Sequence, residues 1–312
     1  MRIARRTPAI LLLAVLTLSA CGGQNTSDSE SDSDASSEGF PVTVTDARGE
    51  VTLDEAPQRI VSLSPSSTEM LFAVGAGDQV TAVDEYSNYP EEAPTTDLSG
   101  FTPSVEAIAD HDPDLVVLAR DAEDAAEQLE KVKIPVLVMP AAETLDDTYE
   151  QMRMLGEATG HADEAAEAAD EVESEISGIF TETKEEIGDT ELSYYHEIDD
   201  GMHSVTSETF IGQVYAEFGL DNIADSAEDT AGGYPQLSAE YIVEEDPDLI
   251  FLSYPGSDVV EDLSGRPAFD TITAVENGDI TQLDPDIASR WGPRVVDLAE
   301  SVSEALIAAQ EK

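Results

Sequence analysis

Short apolar runs recur along the body of the chain, and stretches with helical spacing separate them. Runs of this length predict strands that are buried on both faces, as in parallel sheets covered by helices. The predicted strands lie at 59–65, 80–83, 115–118 and 136–139, and then at 192–196, 249–253 and 280–283. Before the first of them, apolar and polar residues alternate over 40–53 around an Asp-Ala-Arg-Gly turn, which predicts a small hairpin.

Apolar residues three and four apart predict the helices between these strands. A helix through residue 74 is predicted to begin with the segment Ser66-Ser-Thr-Glu69 as its cap and to end at Gly75. Further helices are predicted at 122–131, 209–218 and 295–309. The longest helical region, 143–186, carries one apolar stripe and contains Gly156 and Gly160, so we predict two consecutive helices there.

An eleven-residue pattern occurs twice, 134 residues apart. The copies begin at Glu106 and Glu240, and in both the glutamate lies seven residues before the proline of an Asp-Pro-Asp-Leu segment. A serine, Ser104 or Ser238, precedes each glutamate by two residues. Each copy therefore predicts a capped short helix, a proline that ends it and a buried strand. A glutamate in the first turn also stabilises such a helix by interacting with the helix dipole. A purely structural role of this kind is one interpretation of Glu106 and Glu240.

One unit repeated at domain-scale distance predicts two similar lobes, since a solenoid would have a much shorter period. We predict an α/β fold in which two lobes with mostly parallel sheets, flanked by helices, are joined by a long backbone helix. The predicted N-terminal lobe covers 40–142, the connecting helices 143–187 and the C-terminal lobe 188–312. Two lobes with a cleft between them favour a ligand-binding protein over a catalyst.

The first 39 residues have a different composition from the body. Residues 1–20 combine three arginines with a short apolar stretch and small residues at the end, which predicts a secretory signal peptide. The following Leu-Ser-Ala-Cys-Gly segment resembles a bacterial lipobox, so Cys21, the only cysteine, is the predicted lipidation site. Residues 21–39 are rich in Ser, Gly and acids and predict a disordered tether. These features place the protein at the outer face of the cytoplasmic membrane, held by lipid.

The charge balance is extreme, with 68 acidic residues against 14 lysines and arginines. Nucleic acid is excluded as a partner because the chain has no basic surface to offer. The acids are spread over the whole chain, which fits either adaptation to high salt or a merely soluble acidic surface. Denaturation at low and at molar NaCl separates these interpretations, since only the first makes stability depend on salt.

Ligands of open α/β folds bind at the carboxyl ends of the strands, and the loops there hold the candidate ligand-binding residues. They are Ser64, Pro65, Tyr86, Phe101, Arg120, His203, Tyr234, Tyr254, Asp286, Arg290 and Trp291. Aromatic residues are only 6% of the chain, yet most of these loops carry one. Rings in surface loops indicate either local packing or a ligand that covers them.

Sequence motifs of enzymes are missing from the chain. It has no Gly-x-Ser-x-Gly elbow, no phosphate-binding Gly-x-x-x-x-Gly-Lys and no His-Glu-x-x-His, so we predict no catalytic residues. His196 and His203 are the only pair of histidines close in sequence and near a strand end. A metal receptor or metal-dependent enzyme built on this pair and nearby acids is the alternative from another functional class.

Several segments together resemble the iron-siderophore/vitamin B12 class of ABC-transporter substrate-binding proteins over about residues 40–310. They are Arg-Ile-Val-Ser-Leu-Ser-Pro-Ser-Ser-Thr-Glu at 59–69, the two Asp-Pro-Asp-Leu strands, the long helix between them, and Ser-Arg-Trp-Gly-Pro-Arg-Val at 289–295. The resemblance implies two rigid lobes and a shallow cleft. It also implies a monomer that delivers a small molecule to an ABC permease and its ATPase, and contacts the membrane only through its lipid anchor. Glu106 and Glu240 match the glutamates that such proteins offer to permease arginines.

Within this class, Tyr-Ser-Asn-Tyr-Pro at 86–90 and Gly-Tyr-Pro-Gln around Tyr234 are most similar to the vitamin B12-binding members. The resemblance implies that Tyr86 and Tyr234 flank a corrin ring. This chain departs from that pattern at Gly100 or Phe101, at Ala119 and at Tyr234, where the B12-binding members have tryptophan, and near His203, where they have an aromatic residue.

The resemblance also implies that Asp286 and Arg290, together with Arg120, orient polar groups of the ligand. Charge argues against strongly anionic tricatecholate siderophores, whereas near-neutral cobalamin and hydroxamate iron complexes both remain open. The expected ligand is cobalamin or a related corrinoid, with a ferric hydroxamate siderophore as the alternative. No resident cofactor is expected, because the cobalt or iron chelate is the cargo.

Overall fold

The computed structural model of the protein describes residues 39–188, 191–228 and 230–310. These residues belong to one compact unit. The predicted signal peptide, Cys21 and the tether up to residue 38 lie outside the described residues. In the described part of the chain, none of the helices combines the length and apolar character that crossing a membrane requires.

The described chain begins with a two-stranded antiparallel hairpin of β1 (Val42–Asp46) and β2 (Gly49–Leu53), which confirms the prediction. Asp46 organises its turn, because Oδ1 accepts hydrogen bonds from the backbone N–H groups of Arg48 at 2.7 Å and Gly49 at 3.0 Å. The second oxygen of Asp46 accepts from the N–H of Val138 at 2.8 Å. This carboxylate therefore fastens the hairpin to the first lobe.

The first lobe contains a four-stranded parallel sheet in the order β4-β3-β5-β6. Its elements are β3 (Ile60–Leu63), α1 (Pro65–Ala73), β4 (Val80–Val83), α2 (Val105–Ala109), β5 (Leu115–Leu118), α3 (Ala125–Lys131) and β6 (Val136–Val138). Alternate residues of β5 pack into apolar clusters on opposite faces of the sheet, Leu115 and Val117 into one and Val116 and Leu118 into the other. Burial on both faces explains why these strands have continuous apolar sequences.

Two predicted helix starts are wrong. Helix α1 begins at Pro65 with Ser64 as its cap, whose side chain accepts a hydrogen bond from the N–H of Ser67. Proline suits the first helical position because its ring presets φ and that position needs no N–H donor, so the cap lies two residues before the predicted one. Helix α3 begins at Ala125, because Glu123 has a left-handed φ of 57° that interrupts the predicted helix.

The connecting region forms two consecutive helices, α4 (Leu145–Thr159) and α5 (Ala162–Ile187), as predicted. Gly160 ends α4 with φ at +85°, a conformation that favours glycine. The other predicted glycine, Gly156, serves close packing, because a Cβ there would lie 2.1 Å from the Cβ of Ala165.

The second lobe contains a parallel sheet in the order β10-β9-β7-β8. Its elements are β7 (Ser193–Glu197), α6 (Phe210–Glu217), β8 (Asp221–Asn222), α7 (Ala239–Glu245), β9 (Leu249–Leu252), α8 (Val259–Ser264), α9 (Thr273–Asn277), β10 (Ile280–Gln282), α10 (Pro285–Ser289) and α11 (Val295–Gln310). Strand β8 and helices α8, α9 and α10 were not predicted, because they are too short to show a clear period.

The repeated sequence pattern forms equivalent units in the two sheets. Helices α2 and α7 are capped by Ser104 and Ser238, whose side chains accept from N–H groups three residues later, and each helix leads into a central strand, β5 or β9. One apolar cluster joins the inner faces of both sheets and includes residues of α4, α5 and α11. The predicted fold class is confirmed, with two parallel sheets flanked by helices and α5 linking the lobes.

Candidate ligand-binding site

An open cavity of about 510 Å³ lies where the strand ends of the first lobe meet the segment around α10. Eight of the eleven predicted ligand-binding residues line it, so the structure brings most of the candidates together. They are Ser64, Pro65, Tyr86, Phe101, Arg120, Asp286, Arg290 and Trp291. The first five follow β3, β4 and β5, and the last three come from α10 and the residues after it. The volume lies in the ordinary range for small-molecule sites, about 300–1,000 Å³.

Two exposed rings mark the first-lobe side of the cavity. Tyr86 and Phe101 are 53% and 56% exposed and pack edge to face, with ring centroids 5.7 Å apart. The guanidinium of Arg120 lies over the Phe101 ring, 4.4 Å from its centroid. Gly100 makes this arrangement possible, because a Cβ there would lie only 2.6 Å from the carbonyl oxygen of Leu63. Both rings therefore leave apolar surface open to a ligand.

A buried charge network crosses between the lobes beside the cavity. The carboxylate of Glu69, on α1, is 1% exposed. It accepts from Arg290 Nη1 at 2.9 Å, and from Arg294 Nη2 at 2.6 Å and Nε at 3.1 Å. Both arginines lie more than two hundred residues later in the chain. One carboxylate of the first lobe therefore holds two cations of the second.

The same network holds the loop that carries Tyr86. Arg290 also donates to the Tyr86 carbonyl oxygen and to Asn88 Oδ1, each at 2.9 Å, and pairs with Asp286 Oδ1 at 2.9 Å. Asn88 Nδ2 donates to the other Asp286 oxygen at 2.8 Å. Arg290 lines the cavity, but its guanidinium is committed to protein acceptors, which points to positioning of the Tyr86 loop. Trp291 adds a buried indole Nε1 that has no hydrogen-bond partner among the described residues.

Three predicted ligand-binding residues lie outside this cavity. His203 Nδ1 contacts both oxygens of Asp199 at 2.9 Å. Tyr254 donates its hydroxyl to the buried carboxylate of Glu197 at 2.6 Å, and burial is the main reason that the pKa of Tyr254 is raised. Tyr234 is 48% exposed on a loop of the second lobe. The structure does not place these three beside Tyr86 and Phe101.

Buried side chains that pair across long sequence distances were missed by the sequence analysis. Glu69 was interpreted only as part of a helix cap, and its two arginine partners lie in a different lobe. Asp84, which lines the cavity, was also missed, although its position directly after β4 is a signal that could have found it. The pair of Glu197 and Arg266, joined at 2.5 and 2.8 Å, was missed as well, although Glu197 directly follows the strand predicted at 192–196.

Comparison with known proteins establishes the family. Residues 60–287 match the sequence profile of a family described as periplasmic binding protein. The chain belongs to this family. An uncharacterized ABC transporter substrate-binding lipoprotein of Bacillus subtilis is 32% identical over 308 residues, covering 96% of this chain and 95% of the relative. A cobalamin-binding protein of Halobacterium salinarum is 30% identical over 268 residues, covering 83% of this chain and 72% of the relative.

Solved structures of other periplasmic binding proteins share the fold. The periplasmic vitamin B12 binding protein of Vibrio cholerae superposes with a TM-score of 0.70 at 24% identity, covering 82% of this chain and 99% of the other. A periplasmic heme-binding protein from Roseiflexus superposes with a TM-score of 0.72 at 23% identity, covering 81% and 99%. These likenesses show the fold alone. The family consists of extracytoplasmic solute-binding proteins that serve ABC importers, not of enzymes.

As an extracytoplasmic component of an ABC transporter, a periplasmic binding protein works with a permease and an ATPase. Glu106 and Glu240, the predicted docking residues, occupy the first turns of α2 and α7. Both are exposed, and neither side chain forms a hydrogen bond or ion pair within the described ranges. Equivalent, unpaired carboxylates on the two lobes suit recognition of paired cations on a partner.

The two histidines of the metal alternative are far from equivalent. His196 is buried between the Tyr215 hydroxyl at 2.8 Å and Ser253 Oγ at 2.7 Å, and burial lowers its pKa to about 3. Its ring nitrogens are thus engaged inside the protein core, while His203 pairs with Asp199 at the surface. Among the described residues, no three or more metal-ligating side chains are grouped to hold an ion.

Proposed function

We propose that this periplasmic binding protein captures cobalamin or a related corrinoid in the cavity beside α10 and delivers it to its ABC permease. The observation that carries the proposal is the pair of exposed rings, Tyr86 and Phe101, at a cavity that is also lined by two arginines and two aspartates. A corrin presents a broad apolar face and a rim of polar amides. Exposed rings suit the face, and the charged side chains suit the rim.

The polar groups available in the cavity support this assignment. Arg120 forms no ion pair within the part of the chain that the structure describes, so its N–H donors are available to ligand oxygens. The cobalamin-binding relative of Halobacterium salinarum and the vitamin B12-binding proteins among the relatives point to the same ligand class.

A ferric hydroxamate siderophore is the second candidate. The observation in its favour is Arg120, whose donors also suit the oxygens around a hydroxamate-bound iron. A structure from Saccharomonospora viridis, described as an Fe3+-hydroxamate transport system, superposes with a TM-score of 0.66 at 25% identity. A ferric hydroxamate siderophore is therefore the ligand to compare with cobalamin in a binding experiment.

Titration of intrinsic fluorescence distinguishes the candidate ligands, because Trp291 is the only tryptophan and lies at the cavity. Cyanocobalamin is expected to quench its emission with a Kd below ~10 µM. Ferrioxamine and zinc are titrated in parallel, and cyanocobalamin absorption is corrected with free tryptophan. Saturation by ferrioxamine alone would favour the siderophore, and saturation by zinc alone would favour a metal receptor.

We further propose that Cys21 carries a lipid that holds the protein, as a monomer, at the outer face of the cytoplasmic membrane. The proposal rests on the signal-peptide pattern before Cys21 and on the lipoprotein relative of Bacillus subtilis. Replacing Cys21 with alanine is expected to move the protein from the membrane fraction to the soluble extracytoplasmic fraction. Unchanged membrane association of Cys21→Ala after a high-salt wash would argue against the anchor.

A further inference from the structure

Asp84 is a buried carboxyl group in the wall of the proposed ligand cavity. It directly follows β4, is 3% exposed and lies among the residues that line the cavity. The backbone holds it firmly, because its N–H donates to the carbonyl oxygen of Ser62 at 3.0 Å and the next N–H donates to Leu98. Its side chain therefore has a defined position at the end of the sheet.

One oxygen of Asp84 is held by a chain of buried hydroxyl groups. Oδ1 lies 2.5 Å from Ser87 Oγ, which contacts Thr68 Oγ1 at 3.0 Å, and Thr68 donates to Ser62 Oγ at 2.9 Å. The other oxygen, Oδ2, lies on the side of Gly100, where a Cβ would be 3.0 Å away. Gly100 lines the same cavity. The hydroxyl chain thus fixes one oxygen, while the other lies next to Gly100 in the wall of the cavity.

Asp84 has no cationic partner within the described residues. Arg290, the arginine whose charge acts on it, is bonded to Glu69 and Asp286, and Arg120 lies over Phe101. Burial raises the pKa of the Asp84 carboxyl, against the opposing effects of the Ser87 hydrogen bonds and of Arg290. A buried carboxyl group without an ion pair is costly, and an asparagine, which has the same length and no charge, would keep the contact with Ser87 at lower cost. This cost indicates a role in recognition.

Asp84 gives the cavity a carboxylate, which accepts hydrogen bonds, and Arg120 gives it a guanidinium, which only donates them. A carboxamide satisfies both, since its NH₂ donates to a carboxylate and its carbonyl oxygen accepts from a guanidinium. A carboxylate on the ligand satisfies only the arginine and is repelled by Asp84 in a site of low dielectric. The cavity is therefore suited to amides and unsuited to acids.

From this geometry we propose that Asp84 is a specificity-determining residue that selects ligands whose rim carries carboxamides over ligands whose rim carries carboxylates. The proposal rests on the proposed function and deepens it. It separates an amidated corrin from tetrapyrroles with free carboxylates, such as heme, although proteins that bind either kind share this fold. Selection works by both attraction and repulsion at one carboxyl group.

The test compares cyanocobalamin with dicyanocobyrinic acid, which has free carboxylates in place of the rim amides and also lacks the nucleotide loop. Because both proteins meet the same two ligands, the change in preference on substitution of Asp84 reports on the rim. Wild-type protein is expected to prefer cyanocobalamin. Asp84→Asn keeps the size of the side chain and the contact with Ser87 but removes the charge and adds an N–H donor. The preference is expected to fall by at least about 10-fold, since charge-assisted hydrogen bonds are about twice as strong as neutral ones. Both affinities are measured by isothermal titration calorimetry.

Asp97→Asn is the matched control, because Asp97 is exposed and lies outside the cavity. This substitution changes the net charge by the same amount as Asp84→Asn. Circular dichroism melting curves establish whether each variant is folded. If Asp84→Asn is not folded, Asp84→Ser is measured in its place. An unchanged preference in the folded Asp84 variant overturns this inference alone. Failure of wild-type protein to bind either corrin overturns the proposed function together with the inference, and a preference of wild type for cobyrinic acid overturns the inference.

Discussion

Replacing Glu69 with leucine is expected to lower the free energy of unfolding by about 3–5 kcal/mol. The Glu69 carboxylate is 1% exposed and balances Arg290 and Arg294, which are 6% and 15% exposed. Removal of one member of a buried ion cluster leaves the remaining charges desolvated without compensation, which costs more than the net contribution of the intact cluster. Urea denaturation of the full chain, monitored by circular dichroism, measures the change.

Glu157→Leu is the matched control, because Glu157 lies exposed on α4 and the substitution is chemically the same. It is expected to change stability by no more than about 0.5 kcal/mol. Glu69→Gln keeps one acceptor and the side-chain volume, so its cost is expected to fall between the two leucine variants. A loss below about 1 kcal/mol for Glu69→Leu would show that the two arginines find other partners and that the network does not hold the lobes.

Reversing both predicted docking charges is expected to abolish ligand uptake by cells while ligand affinity is retained. The variant is Glu106→Arg with Glu240→Arg. Both carboxylates are exposed at the start of short helices and are absent from the lining of the cavity, so their reversal changes the partner surface and leaves the ligand site unaltered. Like charges facing each other at an interface cost several kcal/mol, which is sufficient to prevent docking on permease arginines. Uptake of labelled cobalamin and calorimetric affinity are measured on the same variant.

The matched control reverses two exposed glutamates of α5, Glu167→Arg with Glu182→Arg, and produces the same change in net charge. This control is expected to retain uptake. Loss of uptake in the control would assign the effect to overall charge. Loss of ligand affinity in the docking variant would instead favour the structural role, in which each glutamate contributes about 0.3–1 kcal/mol to its helix dipole.

The strands were predictable because parallel sheets bury both faces. Leu115–Leu118 and Leu249–Leu252 are fully buried, and burial on both faces accounts for their uninterrupted apolar sequences. The paired helix starts were predictable for a similar reason, since a serine cap acts on N–H groups only two or three residues away. The serine cap, short helix and buried strand occur once in each half of the chain, and this repeat was sufficient to predict two similar lobes.

The charge network across the lobes was not predictable from local patterns. Glu69 lies 221 residues from Arg290 and 225 from Arg294, and no periodicity links positions so far apart. The same lack of long-range information explains why the candidate site was predicted only in part. Residues after β3, β4 and β5 come together because neighbouring strands end at one edge, whereas Tyr254 turns to a buried partner, Glu197, that only the folded chain reveals.

Equilibrium dialysis of the full chain against cyanocobalamin tests most directly whether the protein is a corrinoid receptor. It measures bound ligand without relying on a spectroscopic change in the protein. We predict retention of one cyanocobalamin per chain, half-saturated below ~10 µM, and weaker retention by the Phe101→Ala variant, which loses one of the two exposed rings. No retention by wild-type protein at ~100 µM ligand, in a sample shown to be folded, would contradict it.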